Sequence, residues 1–190
     1  MALELAHDAF GQAGPPVVIL HGLLGSARNW TGIAKELAAT HRVFALDLRN
    51  HGRSPWAATM SFDEMAGDVA AFIGGHDLSP AGVIGHSLGG KVAMRLALTR
   101  PELVERLLVV DVAPVAYAHT FGPFIEAMRT VDLAAVKRRG DADVQLCAAK
   151  TRPCNCLPGE PNSARWAASK EQSAEAVTTL VVHCSIEGIR

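Results

Sequence analysis

Residues 85–89 read Gly-His-Ser-Leu-Gly, and the flanks of this pattern constrain the fold more than any other feature of the chain. An apolar run over residues 81–84 precedes it, and a run of helix formers over 91–99 follows it. A strand that turns sharply into a helix through a serine flanked by glycines is a nucleophile elbow. The turn strains the serine backbone and lifts the hydroxyl clear of the sheet. A side chain at Gly85 or Gly89 would crowd the neighbouring strand or helix. The helix that follows leaves backbone N–H groups unpaired near the serine, where negative charge would develop. Ser87 is therefore the candidate nucleophile.

An acyl-transfer serine needs an oxyanion hole, usually two backbone N–H donors. One belongs to the residue after the nucleophile, Leu88. The second comes from a loop after an early strand. The segment Val17-Val18-Ile19-Leu20-His21-Gly22-Leu23-Leu24-Gly25-Ser26 has that form, a buried-strand run ending in a glycine turn. It nominates the N–H of Leu23, with His21 and Gly22 as structural residues of the site, joined on the elbow side by Gly85, His86 and Gly89. A third strand-like run, 42–46, leads into Asp47-Leu48-Arg49-Asn50-His51-Gly52-Arg53-Ser54. Asp47, Arg49 and Ser54 are expected to bind one another and the loop backbone rather than a substrate.

Strand-like runs at 2–10, 17–20, 42–46, 82–84 and 104–112 alternate with helical patterns. Helices are expected from about 29 to 39, from the capping box Ser61-Phe62-Asp63-Glu64 to Gly74-Gly75, from 88 to 99, and over 121–137. This alternation implies an α/β fold, a mostly parallel sheet with helices on both faces. The elbow would lie at the carboxyl edge of that sheet, where open α/β sheets place their sites.

Together, the His21, Asp47 and Gly85 segments resemble the α/β-hydrolase superfamily. The run Leu108-Val109-Val110-Asp111-Val112-Ala113-Pro114-Val115 brings the resemblance closest to the small YbfF-type esterases and their abhydrolase relatives. It covers about residues 1–150. It implies an α/β-hydrolase core over 1–115 and the start of a helical cap over 116–150. A fold incomplete at its C-terminus is expected, with an atypical tail over 151–190. In that superfamily the triad runs serine, acid, histidine, and the resembling branch has an aspartate where Asp111 stands, so Asp111 is the expected acid. The general base is the open position. His86 adjoins Ser87 on the elbow and is expected to point elsewhere. His183 is the only histidine late enough for the triad order, and His119 opens the expected cap. Four cysteines (147, 154, 156 and 184), all within the last 44 residues, and loss of apolar periodicity after about 150 mark this end of the chain. A shifted reading frame near that point would explain them.

Two function classes follow. The first is a serine hydrolase of carboxylic esters or thioesters working through an acyl-enzyme on Ser87. The second is a truncated, inactive hydrolase fragment or small-molecule binding module lacking the triad histidine. Exposed sheet edges after truncation would favour aggregation over a specific partner. Serine at the elbow speaks against the dehalogenase and epoxide-hydrolase branches, whose nucleophile is aspartate. Composition narrows the partners. With 18 basic and 19 acidic residues, the formal charge of −1 gives no field for nucleic acid. No run approaches the roughly 18 apolar residues that span a membrane, and no signal-peptide pattern opens the chain. A cytoplasmic protein acting on a small acyl ester without a cofactor is expected. Cys154-Asn155-Cys156 is too tightly spaced for a zinc pair, so no metal is expected and the cysteines are expected as free thiols.

Overall fold

The computed structural model describes residues 1–115, 122–148 and 182–185. Two compact units divide the chain, one of Met1–Pro114 with Thr179–Arg190 and one of Val115–Thr178.

The first unit is built on a sheet of six strands: β1 (His7–Phe10), β2 (Pro16–Leu20), β3 (Arg42–Leu46), β4 (Ala81–His86), β5 (Val104–Val110) and β6 (Val182–Ser185). Their spatial order is β1-β3-β2-β4-β5-β6. Strands β3, β2, β4 and β5 run parallel, while β1 and β6 pair antiparallel at the two edges. The helices are α1 (Thr31–Leu37), α2 (Phe62–Gly75) and α3 (Leu88–Thr99), with short 3-10 turns at Ala27–Trp30 and Pro101–Leu103.

Strand alternation sorts the core into two layers. Val18 and Leu20 of β2, Leu46 of β3 and Val83 of β4 join Met65, Val69 and Ile73 of α2 and Val92 and Leu96 of α3. Val17 and Ile19, with Val43 and Ala45 of β3, face the other way and pack with Ala27, Ala34 and Leu37. Helices thus cover both faces, as expected of a parallel sheet buried on two sides.

The order of the strands sets the site. From β2 the chain moves outward to β3, then returns across β2 to β4. The winding reverses between β2 and β4, and a crevice opens at their carboxyl ends. The loops leaving those two strands carry His21-Gly22-Leu23 and Ser87.

Several expected boundaries shift. The first strand is only His7–Phe10. The preceding segment spends its backbone groups elsewhere: the Leu3 N–H donates to Asp68 and the Ala6 N–H to Ser54. The first helix opens as a 3-10 turn capped by Ser26 with Asn29. The strand expected over 104–112 ends at Val110, because Asp111 takes a positive φ of 57°.

In the second unit, the helix expected over 121–137 is α4 (Gly122–Arg129). It stops where Asp132 turns its carboxylate onto the Ala134 N–H. A second helix there, α5 (Arg139–Ala148), is absent from the sequence expectation. Cys147 is disulfide-bonded, which corrects the expectation of a free thiol. His119 lies outside the described residues, as does the Ala-rich, mostly polar run 163–176, whose composition suggests an exposed helix. The run 177–184 reads from its sequence as a strand, and only the part of it within β6 is described.

Candidate active site

Strand β4 delivers Ser87 into a sharp turn. Its backbone sits at φ 50° and ψ −111°, a region that favours glycine, and the residue is half-buried. Two contacts fix the turn. The Ser87 N–H donates to the Val110 carbonyl at 2.9 Å, and the Gly89 N–H donates to the His21 carbonyl at 3.1 Å. The elbow is thereby tied to β5 on one side and to the end of β2 on the other.

Sterics explain the glycines. A Cβ at Gly85 would stand 2.7 Å from the Gly90 Cα, and one at Gly89 would stand 2.6 Å from the His21 carbonyl oxygen. Gly90 is also required, since its Cβ would meet a Val112 methyl at 2.6 Å. The sequence reading left Gly90 out, though the doubled glycine at the helix start was its signal. Across the crevice, a Cβ at Gly22 would lie 2.8 Å from His86 Nδ1 and 3.4 Å from the Ser87 Cβ. The loop after β2 therefore lies directly against the elbow, with Leu23 on its exposed side.

The register brings Asp111 in from β5. His86 is paired with Val110, so Ser87 and Asp111 leave adjacent strand ends side by side. Asp111 is exposed, and its Oδ2 lies 3.6 Å from His86 Nε2. The sequence reading gave His86 no acidic partner. Nothing in the sequence linked residues 86 and 111 before the register was known. The Trp30 ring flanks His86 with centroids 6.2 Å apart.

His21 is fully engaged. Its Nδ1–H donates to the Gly22 carbonyl at 2.8 Å, and its Nε2 accepts from the Leu48 N–H at 3.1 Å. Burial holds this imidazole below its ordinary pKa, so it is neutral near pH 7. With both nitrogens occupied, it has no lone pair to offer Ser87.

Asp47 and Ser54 bind each other and the loop backbone, as expected, whereas Arg49 turns away from both and pairs with Asp68 of α2. The Asp47 carboxylate accepts from the Ala27 N–H at 2.7 Å and from the Arg53 N–H and Nε. Burial alone would raise this carboxyl, but those donors outweigh it and hold the group below the usual carboxylate range. The Ser54 hydroxyl donates to the Asp47 carbonyl. Arg49 forms a buried two-point pair with Asp68, Nε to Oδ2 at 2.6 Å and Nη2 to Oδ1 at 2.9 Å.

Each loop leaving a parallel strand holds one non-glycine residue at positive φ: Leu24 at 60°, Asn50 at 62°, Ser87 at 50° and Asp111 at 57°. Backbone strain is concentrated along the carboxyl edge, the habit of functional sites. His183 lies in β6 opposite Leu108, and its side chain is outside the described residues. Among the described residues, no group of three histidine, cysteine or acidic side chains is placed to hold a metal. Among them, too, no helix is long and apolar enough to cross a membrane.

Comparison with known proteins supports the fold. A family model described as alpha/beta hydrolase fold matches residues 15–149. The chain is 43% identical over 137 residues to the sn-1-specific diacylglycerol lipase ABHD11 of Danio rerio, covering 69% of this chain and 43% of that protein. It is 37% identical over 102 residues to esterase YbfF of Escherichia coli (strain K12), covering 54% of this chain and 40% of that one. A solved structure described as a marine microorganism esterase superposes with a TM-score of 0.72 at 40% identity, over 78% of this chain and 59% of that chain. The chain spans about half the length, or less, of the curated relatives it matches.

Proposed function

Because the chain belongs to the α/β-hydrolase fold family, we propose that it is a serine hydrolase of carboxylic esters or thioesters, with Ser87 as nucleophile. The observation that carries this reading is the strained elbow at Ser87, pressed against the Gly22 loop and tied to the strand end that bears Asp111. The similarity to proteins named as esterases and lipases supports the substrate class.

In this mechanism the Ser87 Oγ attacks the acyl carbonyl carbon and its proton passes to a histidine base. The carbonyl oxygen becomes an oxyanion held by the N–H groups of Leu23 and Leu88. Collapse expels the alcohol or thiol, which takes the proton back from the imidazolium. Water then attacks the acyl-enzyme by the same route and releases the acid. Asp111 orients the base and balances its charge. His21 is not that base, because both its nitrogens are committed. His86, whose Nε2 lies 3.6 Å from Asp111, His119 and His183 are the remaining candidates. No cofactor enters any step.

Labelling by a fluorophosphonate probe beside Ser87→Ala tests the reading. Labelling lost in Ser87→Ala supports an activated serine. A folded parent chain that fails to label overturns the reading and leaves the binding-module alternative. The same assay on Asp111→Asn is expected to slow labelling at least tenfold, since the base loses its orienting carboxylate.

A further inference from the structure

We propose that His7 and His76 form a two-imidazole site for one divalent transition ion, such as Zn²⁺ or Cu²⁺, clipping β1 to the end of α2. The inference stands apart from the hydrolase reading and concerns the opposite flank of the sheet from β5 and Asp111.

Six histidines lie among the described residues, and four of them have a polar partner there. His21 and His51 hydrogen-bond the loop backbone. His41 shares a hydrogen bond with the Thr40 hydroxyl, and His86 faces Asp111. Among the described residues, the imidazoles of His7 and His76 make ring contacts only, and one of these is with each other. Their centroids lie 5.1 Å apart, with the ring planes at 78°. An ion about 2 Å from one nitrogen of a ring stands about 3 Å from its centroid, and two rings around a tetrahedral ion then have centroids about 5 Å apart. The pair has that spacing.

Local structure sets it. His7 opens β1, opposite Leu46 of β3. Phe72 and His76 stand four residues apart at the end of α2, so they share one face. The buried Phe72 ring touches both imidazoles, 4.9 Å from His7 and 4.2 Å from His76, and Phe44 of β3 lies 6.1 Å and 6.4 Å from them. This packing holds the rings without using their nitrogens. His76 is exposed and His7 half-buried, so an ion reaches both from solvent. A groove of about 260 Å³ runs beside His76, walled by Leu3, Glu4, Phe72 and Gly75, and Glu4 adds a negative charge there.

Imidazole nitrogen selects Zn²⁺, Cu²⁺ or Ni²⁺ over Mg²⁺ and Ca²⁺, which take oxygen ligands. Among the described residues, no third histidine, cysteine or acid is placed to join the pair, so water fills the other positions. Two protein ligands hold an ion less tightly than the four of a structural zinc site, and the ion exchanges with solution. Bound only where residues 7 and 76 meet, it stabilises the folded chain by mass action.

The probe is Zn²⁺, added to the full chain with its thiols alkylated so that the cysteines take no metal. The imidazole ¹⁵N resonances of His7 and His76 are expected to shift while those of His21 and His51 stay in place. The melting temperature is expected to rise with Zn²⁺ and not with Mg²⁺. His7→Gln and His76→Gln each remove one ligand and should each weaken Zn²⁺ binding at least about tenfold in calorimetric titration. Resonances of His7 and His76 that stay put at millimolar Zn²⁺, or single variants that bind as the parent does, would overturn the proposal and leave the four rings as packing alone. The resonances are read on the parent chain, so the answer needs no variant to fold. Fluorophosphonate labelling of Ser87 should be the same in both variants as in the parent, which keeps this outcome separate from the hydrolase reading.

Discussion

At Ser87 the chain holds a backbone conformation that glycine would adopt without strain. Such a residue stores about 1–3 kcal/mol, and glycine costs about 0.5–1 kcal/mol in unfolded-state entropy. Ser87→Gly should therefore be more stable than Ser87→Ala by about 1 kcal/mol in denaturant melts, with neither variant labelled by a serine probe. Equal stability would mean that the turn stores no strain. Asp47 illustrates the opposite case, a buried charge with every partner in place. Asp47→Asn puts an amide among three donors and should cost about 2 kcal/mol at neutral pH, a loss measurable by thermal or chemical melting.

Elements make the same substitution change sign. Gly67 lies inside α2 with open space around the position a Cβ would take. Gly67→Ala should therefore stabilise by about 1 kcal/mol. Gly89→Ala drives a methyl into the backbone at the end of β2 and should cost several times as much while slowing any Ser87 labelling. A melting pair in which both alanines destabilise alike would contradict this. The elements whose ends are set locally were legible from sequence. Helix α2 begins at the Ser61–Glu64 capping box, and α3 runs over the span its helix formers marked. Ser87 and the Leu23 loop were legible for the same reason, since short motifs carry their own geometry. What was not legible depends on distant partners. The segment before β1 leaves the sheet for Asp68 and Ser54. The meeting of His86 with Asp111 follows only from the β4–β5 register.

For the molecule as a whole, the buried Arg49–Asp68 pair joins three parts of the chain: the N-terminal segment through the Leu3 N–H, the loop after β3, and α2. Removing one partner strands the other charge, so Asp68→Asn should cost about 3 kcal/mol in a melt. Acid acts on the same scale. Hydrogen bonds from the Thr59 hydroxyl, then from the backbone and hydroxyl of Ser61, hold the exposed Glu64 at a pKa of about 2 against an ordinary 4.5. Asp47 is shifted in the same direction. Both folded-state values lie below the unfolded ones, so their stabilisation is complete above about pH 4.5 and is lost as the pH falls toward 2. The double variant Asp47→Asn/Glu64→Gln should show a shallower fall across that window. An unchanged slope would place the acid sensitivity elsewhere. The positive-φ residues along the carboxyl edge also bear on how this sequence can evolve. Valine, isoleucine and threonine tolerate that backbone worst, so Leu24, Asn50, Ser87 and Asp111 form a row where drift is narrowed before any chemistry is selected. New specificities would then have to enter between these fixed points, through neighbours whose backbone is unstrained.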